Sequence, residues 1–321
     1  MGRLAFLFPG QGSQYSGMGR ELAETSAIAR AAFDEADAAL GFSVSQMSFT
    51  GSEDDLRLTE NTQPAILAVS VATYRVLEHE GVRPDYVAGH SLGEYSALVA
   101  AGSLSFADAL RLVRRRGQYM RDAVPPGEGA MAAILGLRPG QVIEICRKVA
   151  DGQVVSAANL NSPDQTVISG DAAAVKRAVE QASAAGAKRA VMLPVSAPFH
   201  SELMQPAQKR LEKDLRAIKF APLKFPLVTN VDAAVITDGD EAREALIRQV
   251  SLPVLWEKSM RELVELGTAT FVEVGPGRVL SGVLRQIERS VHCVNVEDAK
   301  SLQNALGRLV QAQGESAEAS S

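Results

Sequence analysis

Residues 85–102 constrain this chain more than any other segment. A short apolar run, Tyr86-Val87-Ala88, enters Gly89-His90-Ser91-Leu92-Gly93, and a helix-forming run from Glu94 to Ala101 leaves it. A Gly-x-Ser-x-Gly string between a strand and a helix has the spacing of a nucleophile elbow. That tight turn lifts a serine hydroxyl clear of a sheet and aims main-chain amides at a developing oxyanion. Small residues at 89 and 93 let strand and helix approach closely enough to make it. The string alone can arise by chance, but the strand before it and the helix after it favour the functional reading.

The rest of the chain supplies the sheet such a turn needs. A strand-like run, Leu4 to Phe8, is followed by helical patterns around 19–40, 63–80, 94–101 and 106–120, an alternation that predicts an α/β architecture with a mainly parallel sheet. Pro125-Pro126-Gly127 breaks the pattern. Up to Pro194 the order becomes strand (Ala130 to Leu135), helix (Pro139 to Ala150), strand (Val154 to Leu160), strand (Gln165 to Ser169), helix (Asp171 to Ala185), strand (Ala190 to Leu193). This βαββαβ order is ferredoxin-like. Val142, Ile145, Cys146 and Val149 share one face of the first helix, and Val175, Ala178, Val179 and Ala182 one face of the second, so each can cover one small sheet. Later strands are expected at Leu227 to Asn230, Ala269 to Val274 and around His292. The 321 residues suffice for one large domain with an insertion. We assign 1–127 and 196–312 to the large domain, 128–195 to the insert and 313–321 to a small, polar, disordered tail.

Composition removes several function classes. A net charge of −5 argues against nucleic-acid binding, which needs a basic surface excess. No stretch has the apolar length of a membrane span, and the opening apolar run is too short for a signal-peptide core, so a cytoplasmic location with no membrane partner is expected. Cys146 and Cys293 lie far apart without metal-type spacing, so neither a disulfide framework nor a metal site is expected.

A serine nucleophile needs a base, and the chain has four histidines. His79 ends a helical pattern between Glu78 and Glu80. His90 adjoins Ser91, and neighbouring side chains on extended backbone point to opposite faces. His292 precedes an apolar run. His200, on a proline-marked loop, remains. No aspartate or glutamate stands out to orient it, so a Ser-His dyad braced by a carbonyl or amide competes with a triad. On the helix of 107–120, Ala109, Leu112, Val113, Arg116 and Met120 share one side while Arg111, Arg114 and Arg115 share another. A buried guanidinium needs a partner, either a protein carboxylate such as Glu94 or Asp122, or a substrate carboxylate gripped by its planar fork. After the first strand, Phe8-Pro9-Gly10-Gln11-Gly12-Ser13-Gln14 lacks the third glycine of a dinucleotide loop. It can instead bring the Gln11 amide beside that of Leu92 to form a two-donor oxyanion hole.

These residues resemble the malonyl-CoA:acyl carrier protein transacylases of fatty acid synthesis and the acyltransferase domains of polyketide synthases. The likeness runs nearly end to end, through the segments 8–14 and 89–94 just quoted, Asn61-Thr62-Gln63-Pro64-Ala65, Arg116-Gly117, Gly129-Ala130-Met131-Ala132-Ala133, Asn159-Leu160-Asn161-Ser162-Pro163, Ser196-Ala197-Pro198-Phe199-His200 and Val272-Glu273-Val274-Gly275-Pro276-Gly277. It implies a hydrolase-like core with an inserted ferredoxin-like subdomain. It also implies that Ser91 is acylated, that His200 is its base, that Arg116 holds the malonyl carboxylate, and that the Gln11 and Leu92 amides stabilise the oxyanion. Gln249 would orient His200 through its main-chain carbonyl. Gln63, Asn159 and Asn161 would lie near the site or its carrier opening, with His90 in the pocket. An aromatic residue at Phe199 leans toward malonyl over methylmalonyl.

The implied reaction passes malonyl from malonyl-CoA to the phosphopantetheine thiol of acyl carrier protein through a malonyl-serine. CoA thioester is a substrate and no cofactor is implied; a monomer is expected. The alternatives are a trans-acting polyketide acyltransferase, a thioester-editing serine acyl hydrolase and an inactive carrier-docking module.

Overall fold

The computed structural model describes residues 2–195 and 197–318, with side chains described to Leu309. β1 (Arg3–Phe8) is followed by α1 (Arg20–Thr25), α2 (Ala27–Leu40), α3 (Val44–Thr50), α4 (Glu53–Arg57) and the long α5 (Thr59–His79). β2 (Tyr86–Gly89) leads into α6 (Gly93–Ala100) and α7 (Phe106–Asp122). Then come β3 (Gly129–Leu135), α8 (Pro139–Val149), β4 (Val155–Ser162), β5 (Gln165–Asp171), α9 (Ala172–Ala184) and β6 (Arg189–Met192). The chain finishes with α10 (Gln205–Arg216), β7 (Leu227–Val228), β8 (Val235–Ile236), α11 (Gly239–Gln249), α12 (Trp256–Glu265), β9 (Thr268–Val274), α13 (Val279–Ile287), β10 (His292–Val296) and α14 (Ala299–Glu318). The protein is α/β.

β1 shows why the larger sheet is parallel. Phe6 and Phe8 pack into one apolar cluster with α2, α5 and α7, whereas Ala5 and Leu7 pack into another with Trp256, Met260, Leu263 and Leu284. A strand buried on both faces needs helices above and below, which crossover connections supply. The strand order is β10-β9-β1-β2-β7-β8, parallel throughout except for the β7–β8 pair at one edge. The loops after β1, β2, β7 and β9 therefore converge at the carboxyl ends of adjacent strands, where open α/β sheets build sites.

The segment from β3 to β6 makes its own antiparallel sheet, ordered β4-β5-β3-β6. On β3, Ala132 and Ile134 face α8 and α9, while Met131 and Ala133 face the main core. The second face thus roofs the strand ends of the larger sheet. Edge strand β4 is stitched to the segment after α11: Val254 N donates to Ala158 O at 2.8 Å, and Leu160 N to Val254 O at 2.9 Å.

Three expectations change. The helix expected over 19–40 breaks at Ser26, whose extended backbone ends α1 and whose hydroxyl caps α2 by accepting from Ala29 N. The helix expected from 63 begins at Thr59 and runs through Pro64; the Glu60 carbonyl that proline cannot bond accepts from Arg114 Nη1 at 2.6 Å instead. α14 continues to Glu318, so 313–318, assigned to a disordered tail, is helical, as its alanine and glutamates favour. Residues 319–321 lie outside the described residues. Among the described residues, no helix is long and apolar enough to cross a membrane.

Candidate active site

The elbow is as tight as its spacing demands. A Cβ on Gly89 would lie 2.0 Å from the backbone of Gly93, and one on Gly93 would lie 2.0 Å from Phe8 O. Any side chain there would force β2, α6 and β1 apart. Ser91 at the apex has φ 51°, a left-handed conformation that costs a non-glycine residue on the order of 1 kcal/mol or more. Asn230, two residues beyond β7, holds it there: its Oδ1 accepts from Ser91 N at 2.7 Å and its Nδ2 donates to Gly89 O at 2.7 Å. Because the Ser91 amide is occupied, the next one, Leu92 N–H, is the amide left for an oxyanion.

Ser91 Oγ lies 2.7 Å from His200 Nε2, and His200 Nδ1 lies 2.8 Å from the main-chain oxygen of Gln249. A carbonyl only accepts, so Nδ1 carries the proton and Nε2 is free to take the serine's. His200 also has positive φ, 56°. Burial first, then the charge of Arg116, pushes its imidazole down to about 3. The base is therefore neutral at physiological pH, and an anion placed against Arg116 would strengthen it. This is a dyad braced by a carbonyl, with no carboxylate in the position of a third member among the described residues.

Arg116 is 2% exposed. Its Nη1 donates to Gln63 Oε1 at 2.8 Å, and its Nη2 to Gln249 Oε1 at 3.0 Å and Ser91 Oγ at 3.1 Å, while Nε has no partner among the described residues. Neither carboxylate considered from sequence pairs with it. Asp122 pairs with Arg121 and Arg210, and Glu94 bonds Gln249. Arg115 and Arg111 point outward to Asp214 and Asp108. Among the described residues this buried cation is held only by neutral oxygens, which leaves its charge able to pair with an anionic group beside the nucleophile.

A cavity of about 290 Å³ opens onto these groups. Gln11, His90, Ser91, Arg116, Asn159, Phe199 and His200 line it, with Met120, Met131, Val167, Leu193 and Val195 as apolar wall. The loop after β1 is knitted by Ser13 Oγ donating to Gly10 O and by Gly12 N donating to Gln14 Oε1. Gln11 lines the cavity, and its amide makes no bond among the described residues. Asn159 Oδ1 is buried without a partner among the described residues. Asn161 lies behind the wall, bonded to His90 Nε2 at 2.8 Å, and His90 packs edge-on against Trp256 with centroids 5.2 Å apart. Gln63 is placed behind Arg116 and not at the opening: its Nε2 donates to Thr59 Oγ1 at 3.0 Å, and Thr59 Oγ1 to Gln11 Oε1 at 2.9 Å. A chain of hydrogen bonds thus joins the guanidinium to the loop after β1.

Sequence reasoning missed Asn230, the brace of the elbow, and Thr59. An asparagine just beyond a strand beside the elbow's strand was the available signal. Asn230→Ala is expected to slow acylation of Ser91 by tenfold or more and to lower the melting temperature, because each buried group left unpaired costs about 1–3 kcal/mol. Stopped-flow acylation and calorimetry measure both.

An elbow serine, a carbonyl-braced histidine and a buried arginine beside them in one cleft suit serine acyl transfer, and a family model described as an acyl transferase domain matches residues 5–319. The chain belongs to this acyl transferase family, among its malonyl CoA-acyl carrier protein transacylases. The transacylase of that name from Bacillus subtilis (strain 168) is 48% identical over 310 residues, covering 96% of this chain and 98% of the relative. That of Escherichia coli (strain K12) is 47% identical over 307 residues, covering 95% and 99%. The solved complex of a type II polyketide synthase acyl-carrier protein with its malonyl-transacylase superposes with a TM-score of 0.93 at 44% identity, covering 95% of this chain and 99% of that one.

Proposed function

We propose that this protein carries malonyl from malonyl-CoA to the phosphopantetheine thiol of acyl carrier protein in fatty acid synthesis, through a malonyl ester on Ser91. The observation that carries the reading is Arg116, buried 3.1 Å from the nucleophile without a carboxylate partner among the described residues. Ser91 Oγ attacks the thioester carbonyl as its proton passes to His200 Nε2. The oxyanion takes the Gln11 and Leu92 amides, and CoA leaves as a thiol protonated by His200. The carrier thiol then gives its proton to His200 and takes the malonyl group. Arg116 binds the free carboxylate with its two-pronged edge, each charge-assisted bond being worth about 1.5–3 kcal/mol. Nucleophile, base and oxyanion donors all come from the chain, so the reaction needs no cofactor. Phe199 narrows the wall beside His200, which suits malonyl better than a branched acyl group.

The same reading treats the larger sheet as a hydrolase-like core, 1–127 and 196–312, and 128–195 as a ferredoxin-like insert; the strand order β4-β5-β3-β6 supports this. The chain acts as a monomer in the cytoplasm and binds no nucleic acid.

Incubation with malonyl-CoA should add one malonyl mass to the peptide holding Ser91, and holo-acyl carrier protein should then discharge it. Release of free malonate at the same rate with and without carrier would make the protein a hydrolase and overturn the transfer reading. Discharge by a polyketide carrier in preference to a fatty acid one would move the acceptor, leaving the chemistry.

A further inference from the structure

Glu94, in the first turn of α6, is 1% exposed, and no cation lies within ion-pair distance of it among the described residues. Its Oε2 accepts from Gln249 Nε2 at 2.5 Å and its Oε1 from Asn230 N at 3.4 Å. Those two residues are the braces of the dyad and the elbow. The charged and titratable groups facing it are Arg116 from α7, the Asp232–Arg248 ion pair from the β8 side and α11, and Tyr95 on its own helix. A lone buried carboxylate is costly, and burial pushes this one up to about 7.

An amide has a donating and an accepting end. Gln249 gives its Nε2 to two acceptors, Glu94 and Ser91 O (2.9 Å), which leaves Oε1 facing Arg116. We infer that Glu94 is a positioning residue of the acyl transfer proposed above: its carboxylate fixes the Gln249 amide so that Oε1 holds Arg116 beside Ser91. A protonated Glu94 presents a donor to that amide. Turning the amide to meet it would set Nε2 against the guanidinium, donor against donor, and release Arg116. Selection of a dicarboxylic acyl group then depends on an ionised Glu94, full above its pKa and lost as pH falls through it.

The test is the ratio of Ser91 acylation rates with malonyl-CoA and acetyl-CoA, followed by mass in single turnover between about pH 6 and 8.5. His200 stays neutral across that range, so the acetyl arm reports the dyad alone. In the wild type the ratio should fall about tenfold toward the acid end. Glu94→Gln should start about tenfold lower at the alkaline end and stay flat, since one bond to a charged group is worth that factor. In a Gln249→Met background, Glu94→Gln should add nothing further, because the effect runs through that amide. A wild-type ratio flat with pH, a Glu94→Gln ratio equal to wild type, or additive losses with Gln249→Met would each overturn the inference. The wild-type profile decides alone if Glu94→Gln does not fold. Absence of any malonyl adduct on Ser91 overturns the transfer reading and this inference together, whereas an unchanged ratio with the adduct present overturns this inference only.

Discussion

Ser91→Ala should abolish the malonyl adduct and cut acyl transfer by a factor of about 10⁴ or more, the scale seen when a nucleophile acting as a unit with its base is removed. Among the described residues lining the cavity, neither histidine is placed to take over. His90 is bonded to Asn161, and His200 Nε2 is bonded to Ser91 Oγ itself. Alanine keeps the Asn230 bond to the main-chain amide at 91, so the elbow persists and circular dichroism should match the wild type. Intact-mass measurement after mixing with malonyl-CoA reads the outcome directly. An adduct that survives the substitution would place the nucleophile elsewhere.

The second large effect belongs to Arg116→Ala, for which malonyl preference over acetyl should collapse by about 10²-fold or more. Two charge-assisted bonds at about 1.5–3 kcal/mol each set that scale. Arg116→Lys should recover only part of it, because an ammonium is a point charge that cannot span both carboxylate oxygens from the guanidinium's position. The alanine change also removes a positive charge that holds His200 down. Its imidazole pKa should therefore rise, and an acid limb absent from wild-type acetyl transfer should move up toward neutral pH. Competition kinetics with the two CoA esters across pH separate the effects. Unchanged selectivity would mean that the carboxylate is bound by another group.

The legible parts of this molecule are those whose physics is local. Gly89 and Gly93 announce the elbow because backbone contact there excludes side chains. The stripe containing Arg116 is visible at helical period, and the βαββαβ order follows from two amphipathic helices between short strands. The dyad's histidine came out by elimination among few candidates. Gln249, Asn230 and Glu94 were harder because their meaning is set by contacts across 136–158 positions of sequence. Gln249 was reachable only by resemblance: a main-chain carbonyl carries no residue signature. Glu94 was legible as a partner for Arg116, yet it bonds the amide between them. The short α3 and α4 and the two-residue β8 escaped because segments of that length show no periodicity.

The stitch between β4 and the segment after α11 limits how the cleft can breathe. Leu255 N continues it by donating to Asn230 O at 2.8 Å, so one edge of the small sheet, the turn beyond Gln249 and the residues just beyond β7 form a single rigid strip. Leu193, Pro194 and Val195, which follow β6, line the same cavity as Gln11 and Gly12. Ser91 lines that one cavity, so in the reaction proposed above both thiols reach it there in turn, and the departing CoA has to clear it before the carrier arm can enter.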